Sequence, residues 1–476
     1  MRLLLPFILA GLILTGGCSH LPIQDLFPLE GVDELEPIRK NERILVMAPH
    51  PDDEAIACAG IIQKAIDAGA EVKVLYLTNG DHNQVAFIVY EKRLTFRKGE
   101  FIHMGQVRHS EAVKAMEFFG LDESRLIFLG YPDFGTFTIF RDYWDAKSPY
   151  RSMLTRISHV PYRSNLSYGA PYTGESILGD IKKVLREYRP DKIFVSHPSD
   201  TNPDHRAFYL FLQVALWDLE GDDIPPKVYP YLVHCPGWPL PRHYHPKLQL
   251  GPPRQYPVGA GIKWLRSDMS SQEIDDKHKA ILCYRSQTQS SAFYLLSFAR
   301  RNELFGNYPT VVLDLKKDVF PASKEWVMPV LPFWKHPSGD PGLDSPYDTV
   351  AEQDNKTRVR YECDGANFYI KVTNSDALSR KFGTLIYLFG YSRKVEFAKM
   401  PKLRIVTKGR RFKVFDSRKV LKAEGIELSL GEQEFILKIP LAVLKDPDAI
   451  LTSLKSYGAR PRLNSMGFRK VIIKRR

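Results

Sequence analysis

The run Arg43-Ile44-Leu45-Val46-Met47 is apolar after its first residue and does not alternate, which is the pattern of a strand covered on both faces. Helical spacing follows from Ala55 to Ala68, closed by Gly69, and a second strand runs from Val72 to Leu77. The same alternation recurs with a helix around Ser110–Phe119, closed by Gly120, and the strand Leu126–Leu129. It recurs again with a helix over Ile177–Tyr188 and the strand Lys192–Ser196. Strands separated by helices predict an α/β domain over residues 42–330, with a Rossmann-like, mostly parallel sheet and helices on both faces.

From Leu331 to Asn355 the composition turns to Pro, Gly and Asp, as in a linker. Beyond it the period becomes two: Phe368, Ile370 and Val372 point one way, Tyr369 and Lys371 the other, and Phe435, Leu437 and Ile439 repeat the pattern. Short alternating strands predict a C-terminal all-β, sandwich-like module over residues 356–476, with carbohydrate binding as one role for it and protein docking as another. The sequence contains no internal repeat.

Charge adds a contrast between the two parts. The chain of 476 residues carries a net charge of +12, yet from Lys356 onward 28 Lys and Arg face 11 Asp and Glu, a net of +17, which leaves −5 for the rest. A basic C-terminal third predicts contact with anionic polymers or lipid headgroups; a solvated face is the equally weighted alternative. Cys58, Cys235, Cys283 and Cys363 form no CxxC pair, so neither a zinc finger nor a disulfide framework is indicated and most read as buried apolar residues.

The N-terminus reads as an export signal: Arg2, the apolar run Leu3–Leu14, then Thr15-Gly16-Gly17-Cys18. Small residues directly before a cysteine resemble the bacterial lipobox. That resemblance implies a lipoprotein signal peptide over 1–18, lipidation at Cys18, a tether over 19–41 and a membrane anchor at the bacterial cell envelope. Ser19 does not resemble the aspartate signal for inner-membrane retention, so the outer membrane or periplasmic face is preferred. Export makes nucleic acid an unexpected partner.

Two loops carry the candidate chemistry. The first strand ends in Ala48-Pro49-His50-Pro51-Asp52-Asp53-Glu54, and the fourth in Ser196-His197-Pro198-Ser199-Asp200-Thr201-Asn202-Pro203-Asp204-His205. Open α/β sheets bind ligands beyond the carboxyl ends of their strands. The His50 imidazole and Asp53 carboxylate, three residues apart across a strand-to-helix turn, converge on one ion, with His205 completing a two-His, one-carboxylate set and Asp52 left to act on water. A single such run is also what a helix N-cap looks like, with Asp52 or Asp53 capping and Glu54 facing the helix dipole. Two His/Asp-rich loops at strand ends of one sheet make capping alone a poor explanation.

The chain from about Arg43 to Phe305 resembles the PIG-L/LmbE-like family of N-acetylglucosaminyl de-N-acetylases. The matching pieces are Pro49–Glu54, Leu77-Thr78-Asn79-Gly80, Arg108-His109-Ser110-Glu111, Leu129-Gly130-Tyr131-Pro132-Asp133, Pro203-Asp204-His205-Arg206 and a late segment from Lys279 to Phe305. The resemblance implies His50, Asp53 and His205 as ligands of Zn2+ (or another divalent metal such as Fe2+) and Asp52 as general base, with Asn202 and Asp204 in the catalytic set. It also implies sugar hydroxyls held by Arg108 and Asp133; for Arg108 a salt bridge to Glu111 is the competing reading. Relatives often have a histidine where Asn202 stands; asparagine donates a hydrogen bond but does not relay a proton at neutral pH, which leaves His197 or Asp52 itself as the acid. His234 and Trp238 read as packing residues before they read as a sugar pocket.

The expectation is therefore a zinc-dependent N-deacetylase acting on an N-acetylated amino sugar in a cell-envelope or extracellular glycan or glycoconjugate. The alternative is a non-catalytic glycan-binding surface lipoprotein on a deacetylase fold, which Asn202 favours. Hydrolysis of a small-metabolite amide ranks third, because an exported protein would not meet such substrates.

Overall fold

The computed structural model describes residues 29–92, 97–221, 225–256, 261–315, 357–374, 377–378, 382–457 and 467–474. The signal segment with Cys18 and the expected linker 331–355 lie outside the described residues.

The first half alternates as its pattern predicts: β1 (Asp33–Glu34), β2 (Arg43–Ala48), α1 (Asp53–Asp67), β3 (Glu71–Thr78), α2 (Gln84–Glu91), α3 (Lys98–Phe118), β4 (Leu126–Tyr131) and α4 (Thr136–Asp142). It continues with α5 (Gly174–Tyr188), β5 (Lys192–Ser196), α6 (Pro203–Asp218), β6 (Lys227–Tyr231), β7 (Lys263–Asp268), α7 (Ser271–Cys283), α8 (Arg285–Leu295) and β8 (Asn302–Asn307). The eight strands form one sheet in the order β1-β7-β8-β6-β5-β2-β3-β4. Its centre, β6-β5-β2-β3-β4, is parallel, whereas β8 runs antiparallel to both β6 and β7. β1, inside the stretch read as a tether, pairs parallel with β7 at the edge.

Period-two alternation divides β2 between two cores. Ile44, Val46 and Ala48 pack with α1 and α3 residues such as Ile61 and Met116; Leu45 and Met47 pack with Ile181 of α5 and Phe208 of α6. Both faces are therefore covered by helices, as the unbroken apolar run requires. From β2 the chain steps to β3 and β4 on one side, then returns to β5 on the other. The carboxyl ends of β2 and β5 thus form the topological switch point.

The second half is a β-sandwich. One sheet pairs β10 (Thr357–Cys363), β11 (Asn367–Asn374), β17 (Glu434–Pro440) and β16 (Glu427–Leu430). The other joins β15 (Lys419–Leu421), β14 (Arg411–Asp416), β13 (Lys402–Lys408), β12 (Gly383–Tyr391), β18 (Ala449–Tyr457), β19 (Arg469–Lys474) and β9 (Val311–Asp314). β9 lies within the first 330 residues yet belongs to the second sheet, where it pairs parallel with β19. The sandwich core includes Phe368, Ile370, Val372, Phe435, Leu437 and Ile439, the residues whose alternation predicted it.

The two halves share a core. All nine β12 residues are buried: Ile386 and Leu388 face the sandwich, whereas Leu385, Tyr387, Phe389 and Tyr391 join the core that holds α4, α5 and α6. At this seam the rings of Phe140 and Phe389 lie 5.2 Å apart, Phe140 and Phe211 4.8 Å, and Trp144 and Phe397 5.0 Å. No described helix is long and apolar enough to cross a membrane.

Candidate metal centre

Met47 of β2 and Val195 of β5 are register partners, so the loops that follow these strands rise side by side. The first turns over Pro49–Asp52 into α1; the second leads into α6. His50 and Asp53 come from one and His205 from the other. His50 Nδ1 and His205 Nε2 lie 3.2 and 3.1 Å from the same Asp53 Oδ2, and the three ligand atoms fall within 4.8 Å of one another. All three residues are buried. Neither ring nitrogen of His205 makes a hydrogen bond among the described residues, although carboxylate oxygens stand 3.1 Å from each. Two imidazoles and a carboxylate converging this way fit a divalent metal with coordination positions left over.

Behind each histidine stands a buried carboxylate. The far nitrogen of His50, Nε2, lies 3.1 Å from Asp133 Oδ1 and 3.3 Å from Asp204 Oδ2; that of His205, Nδ1, lies 3.1 Å from Asp200 Oδ2. A carboxylate in this place fixes a ligand's ring orientation and tautomer. Burial pushes the Asp133 carboxyl up, but the facing His50 ring overrides it and holds the group well below the usual carboxylate range.

Asp52 occupies the N-cap position of α1, yet its side chain makes no capping bond, and its φ of 126° is far from the helical region. That conformation is strained for any residue with a Cβ and persists because the surroundings impose it. The carboxylate turns instead toward Arg108, whose Nη2 is 3.4 Å from Asp52 Oδ2. Burial pushes the Asp52 carboxyl up to about 7 against the pull of that guanidinium. Glu54 supports the turn: one oxygen accepts the Asp52 N–H at 3.1 Å and the other the Tyr284 hydroxyl.

Residues 45–216 match the family model of GlcNAc-PI de-N-acetylase, PIG-L. This part of the chain is a PIG-L domain. No curated protein sequence matches the chain. Among solved structures, it is similar to an N,N'-diacetylchitobiose deacetylase from Pyrococcus horikoshii, with 18% identity, 56% of this chain and 82% of that one covered, and a TM-score of 0.34. It is also similar to a deacetylase of teicoplanin biosynthesis (15% identity, 56% and 97% covered, TM-score 0.35). A third is GalB, a 4-carboxy-2-hydroxymuconate hydratase from Pseudomonas putida (16% identity, 57% and 98% covered, TM-score 0.36).

The PIG-L domain uses its other expected site residues in the framework of the centre. Arg108 is buried and donates to the carbonyls of Pro51 at 2.8 Å and Gly80 at 3.1 Å, while Glu111 accepts from the Ser286 N–H and hydroxyl. Gly80 has a φ of +69°, and a Cβ there would lie 2.0 Å from Arg108 Nη1, so both the turn and the guanidinium demand glycine. Asp133, also buried, accepts the His82 N–H at 3.0 Å besides facing His50. Asn202 caps α6 through its Oδ1, which accepts the Asp204 N–H at 2.9 Å. Asp204 binds the Thr136 N–H and hydroxyl with one oxygen and the Phe134 N–H with the other, tying α6 to the Asp133 loop.

His197 is a different matter from the proton donor considered for it. Its ring stacks on Trp264 at 5.9 Å, its Nδ1 accepts the Ser199 N–H at 3.0 Å, and burial pushes its pKa down to about 3. It is a neutral packing residue. Trp238 is also core, donating to the Gly251 carbonyl at 2.9 Å, whereas the His234 ring lies 4.6 Å from that of His205.

Sequence reasoning assigned no role to Asp200, Asp81 or Tyr284. Asp200 could have been found from its place five residues before His205 in the same loop. Asp81 accepts the Tyr162 hydroxyl at 2.8 Å and follows directly on the Thr78-Asn79-Gly80 turn.

Proposed function

We propose that this chain is a metal-dependent N-deacetylase that hydrolyses the acetamide of an N-acetylated amino sugar in a cell-envelope or extracellular glycan or glycoconjugate. The observation that carries the reading is the convergence of His50, Asp53 and His205 on one point, with Asp52 beside them, in a PIG-L domain. The donor set suits Zn2+, with Fe2+ the second choice. When bound there, such an ion supplies Lewis-acid polarisation of a carbonyl and a lowered water pKa. The chain's own residues do the rest. Asp52 takes the proton from the attacking water and returns it to the departing amine, and Arg108 holds that carboxylate in place. Asp133, Asp204 and Asp200 keep the two ligand rings oriented. With its Oδ1 tied to the Asp204 N–H, Asn202 offers its amide NH2 to the developing oxyanion. Export through residues 1–18 and lipidation at Cys18 would set this chemistry at the bacterial envelope, with the basic C-terminal third against anionic polymers or headgroups.

The test is acetate release from a panel of N-acetylated envelope glycans by the full chain, with and without chelator. Asp52→Asn is expected to keep its metal and lose roughly 10²–10⁴-fold in rate. Undiminished release in Asp52→Asn would remove Asp52 from its role. A second reading, a glycan-binding protein without turnover, is supported by asparagine at position 202. Glycan binding by the metal-loaded chain with no acetate release anywhere in the panel would establish it instead.

A further inference from the structure

The seam between the halves reaches the metal centre through three consecutive residues of the β-sandwich, Gly467, Phe468 and Arg469. The Phe468 N–H donates to the Pro198 carbonyl at 3.2 Å. Gly467 lies so close to the same loop that a Cβ would stand 2.2 Å from Ser199 Oγ and 2.5 Å from the Tyr308 ring. The Arg469 guanidinium lies 3.3 Å over the Tyr308 ring, and the Tyr308 hydroxyl is bonded to Ser199 Oγ. Pro198 and Ser199 belong to the loop that carries Asp200 and feeds His205 into the site. The same three residues reach the other side of the centre. The Phe468 ring lies 5.7 Å from Phe389 and 5.9 Å from Phe137, and Phe137 directly follows Thr136, whose N–H and hydroxyl bind Asp204.

We infer that Gly467-Phe468-Arg469 is a clamp for the second ligand loop, and that the β-sandwich acts on the metal centre by positioning His205 and Asp200. The physical reason is entropic. The loop between β5 and α6 is held at its start by β5, at its end by Asn202 and, beyond Ser199, by Asp200 and Thr201, which bond the backbone of Val233 and His234; Pro198 and Ser199 meet the clamp. Releasing them restores backbone freedom to a loop that must hold an imidazole to within about 0.5 Å of its productive position. Among the described residues the first loop, Pro49–Asp52, makes no such contact with the clamp; Arg108 and Glu54 hold it instead. Phe468 and Arg469 are therefore positioning residues for one ligand loop and not the other. This builds on the metal site proposed above, but the backbone effect does not depend on which reaction that site performs.

The test is hydrogen exchange on full-length, metal-free protein, native against Phe468→Ala, read over residues 198–206 and 48–56. Exchange over 198–206 is expected to accelerate at least tenfold, with 48–56 within twofold of native. Zn2+ titrated against a chromophoric chelator should show about tenfold weaker binding, in the range seen when a ligand's supporting contacts are removed. Phe468→Tyr should restore both. Arg469→Gln, which keeps the aromatic packing, supplies the same readings in milder form should Phe468→Ala unfold. Val414→Ala, in the sandwich core away from the clamp, should leave both segments and the Zn2+ affinity unchanged. Equal acceleration in both segments, unchanged exchange over 198–206, or Zn2+ affinity within twofold of native would overturn the inference. Absence of acetate release in every variant would count against the proposed reaction and leave the exchange result standing.

Discussion

The carboxyl end of the parallel sheet and the seam between the two halves are both buried, and they are built from opposite materials. At the sheet end Asp52, Asp53, Glu54, Asp81, Asp133, Asp200 and Asp204 crowd around two histidines. At the seam Phe140, Trp144, Phe211, Phe389 and Phe397 pack largely edge to face, as do Phe137 and Tyr387, and the cations of Lys402 and Arg206 lie against the rings. Burying that many carboxyls is costly unless each is hydrogen-bonded or faces a positive charge. Burying large aromatic rings is strongly favourable, with a further gain from their geometry. The molecule thus places its stabilising region directly behind its strained one, and the clamp at Phe468 joins them.

The largest expected effect comes from weakening the seam. Phe140→Ala removes a fully buried ring with partners on both halves, and should cost about 3–5 kcal/mol in denaturant-induced unfolding. If the halves are one cooperative unit, a single transition moves; a separate early transition would break the comparison. Next in size is a change confined to the sheet end. Asp200→Asn keeps the side-chain size but removes the charge behind His205 and one of two oxygens that accept backbone N–H groups of Asn202, Val233 and His234; it should weaken metal binding by about 10–100-fold and lower the unfolding midpoint by less than Phe140→Ala does. A shift in midpoint as large as that of Phe140→Ala would show that Asp200 holds the fold rather than the ligand.

The effect that is smallest per step of the condition varied separates the regions by the sign of their pH dependence. Burial, reinforced by the Asp133 charge, pushes Asp81 up to about 7, so the folded state binds more protons than the unfolded one from about pH 4 to 7. Stability attributable to Asp81 should fall as pH rises through that window. Burial pushes Lys402 down to about 7 from 10.5, so there the unfolded state holds more protons, and stability should rise from pH 7 to 10. Each slope is at most about 1.4 kcal/mol per pH unit. Asp81→Asn should flatten the first limb and Lys402→Met the second, as read from unfolding free energies across pH. A flat difference between native and either variant would sink that assignment.

Much of this architecture is visible in the chain before it folds. β2, β3 and β5 are legible because strands covered on both faces leave an unbroken apolar run, and the sandwich because Phe368, Ile370 and Val372 alternate with polar neighbours. The proposed ligands His50, Asp53 and His205 stand out because histidine and aspartate at strand ends do no packing. What stayed hidden depends on residues distant in sequence. That Asp133 stands 3.1 Å from the His50 ring is a contact between loops distant in sequence, which no spacing reveals. α3 begins at Lys98, well before the expected Ser110, because its early turns are too polar for a clear apolar stripe. The antiparallel β8 and the seam were missed for a related reason: Leu385, Ile386, Tyr387, Leu388 and Phe389 show no alternation, which names burial on both faces but not the partner on either.

β12 has a consequence for separability as well as for stability. A domain that recombines freely among proteins must offer water an acceptable surface when its neighbour is absent. With Tyr387, Phe389 and Tyr391 facing α4 and α6, the sandwich would expose an aromatic sheet face on separation, and the PIG-L domain would expose Phe140 and Trp144. Transplanted singly, either half should aggregate. Substitutions on one side of β12 should therefore call for compensating changes on α4 and α6.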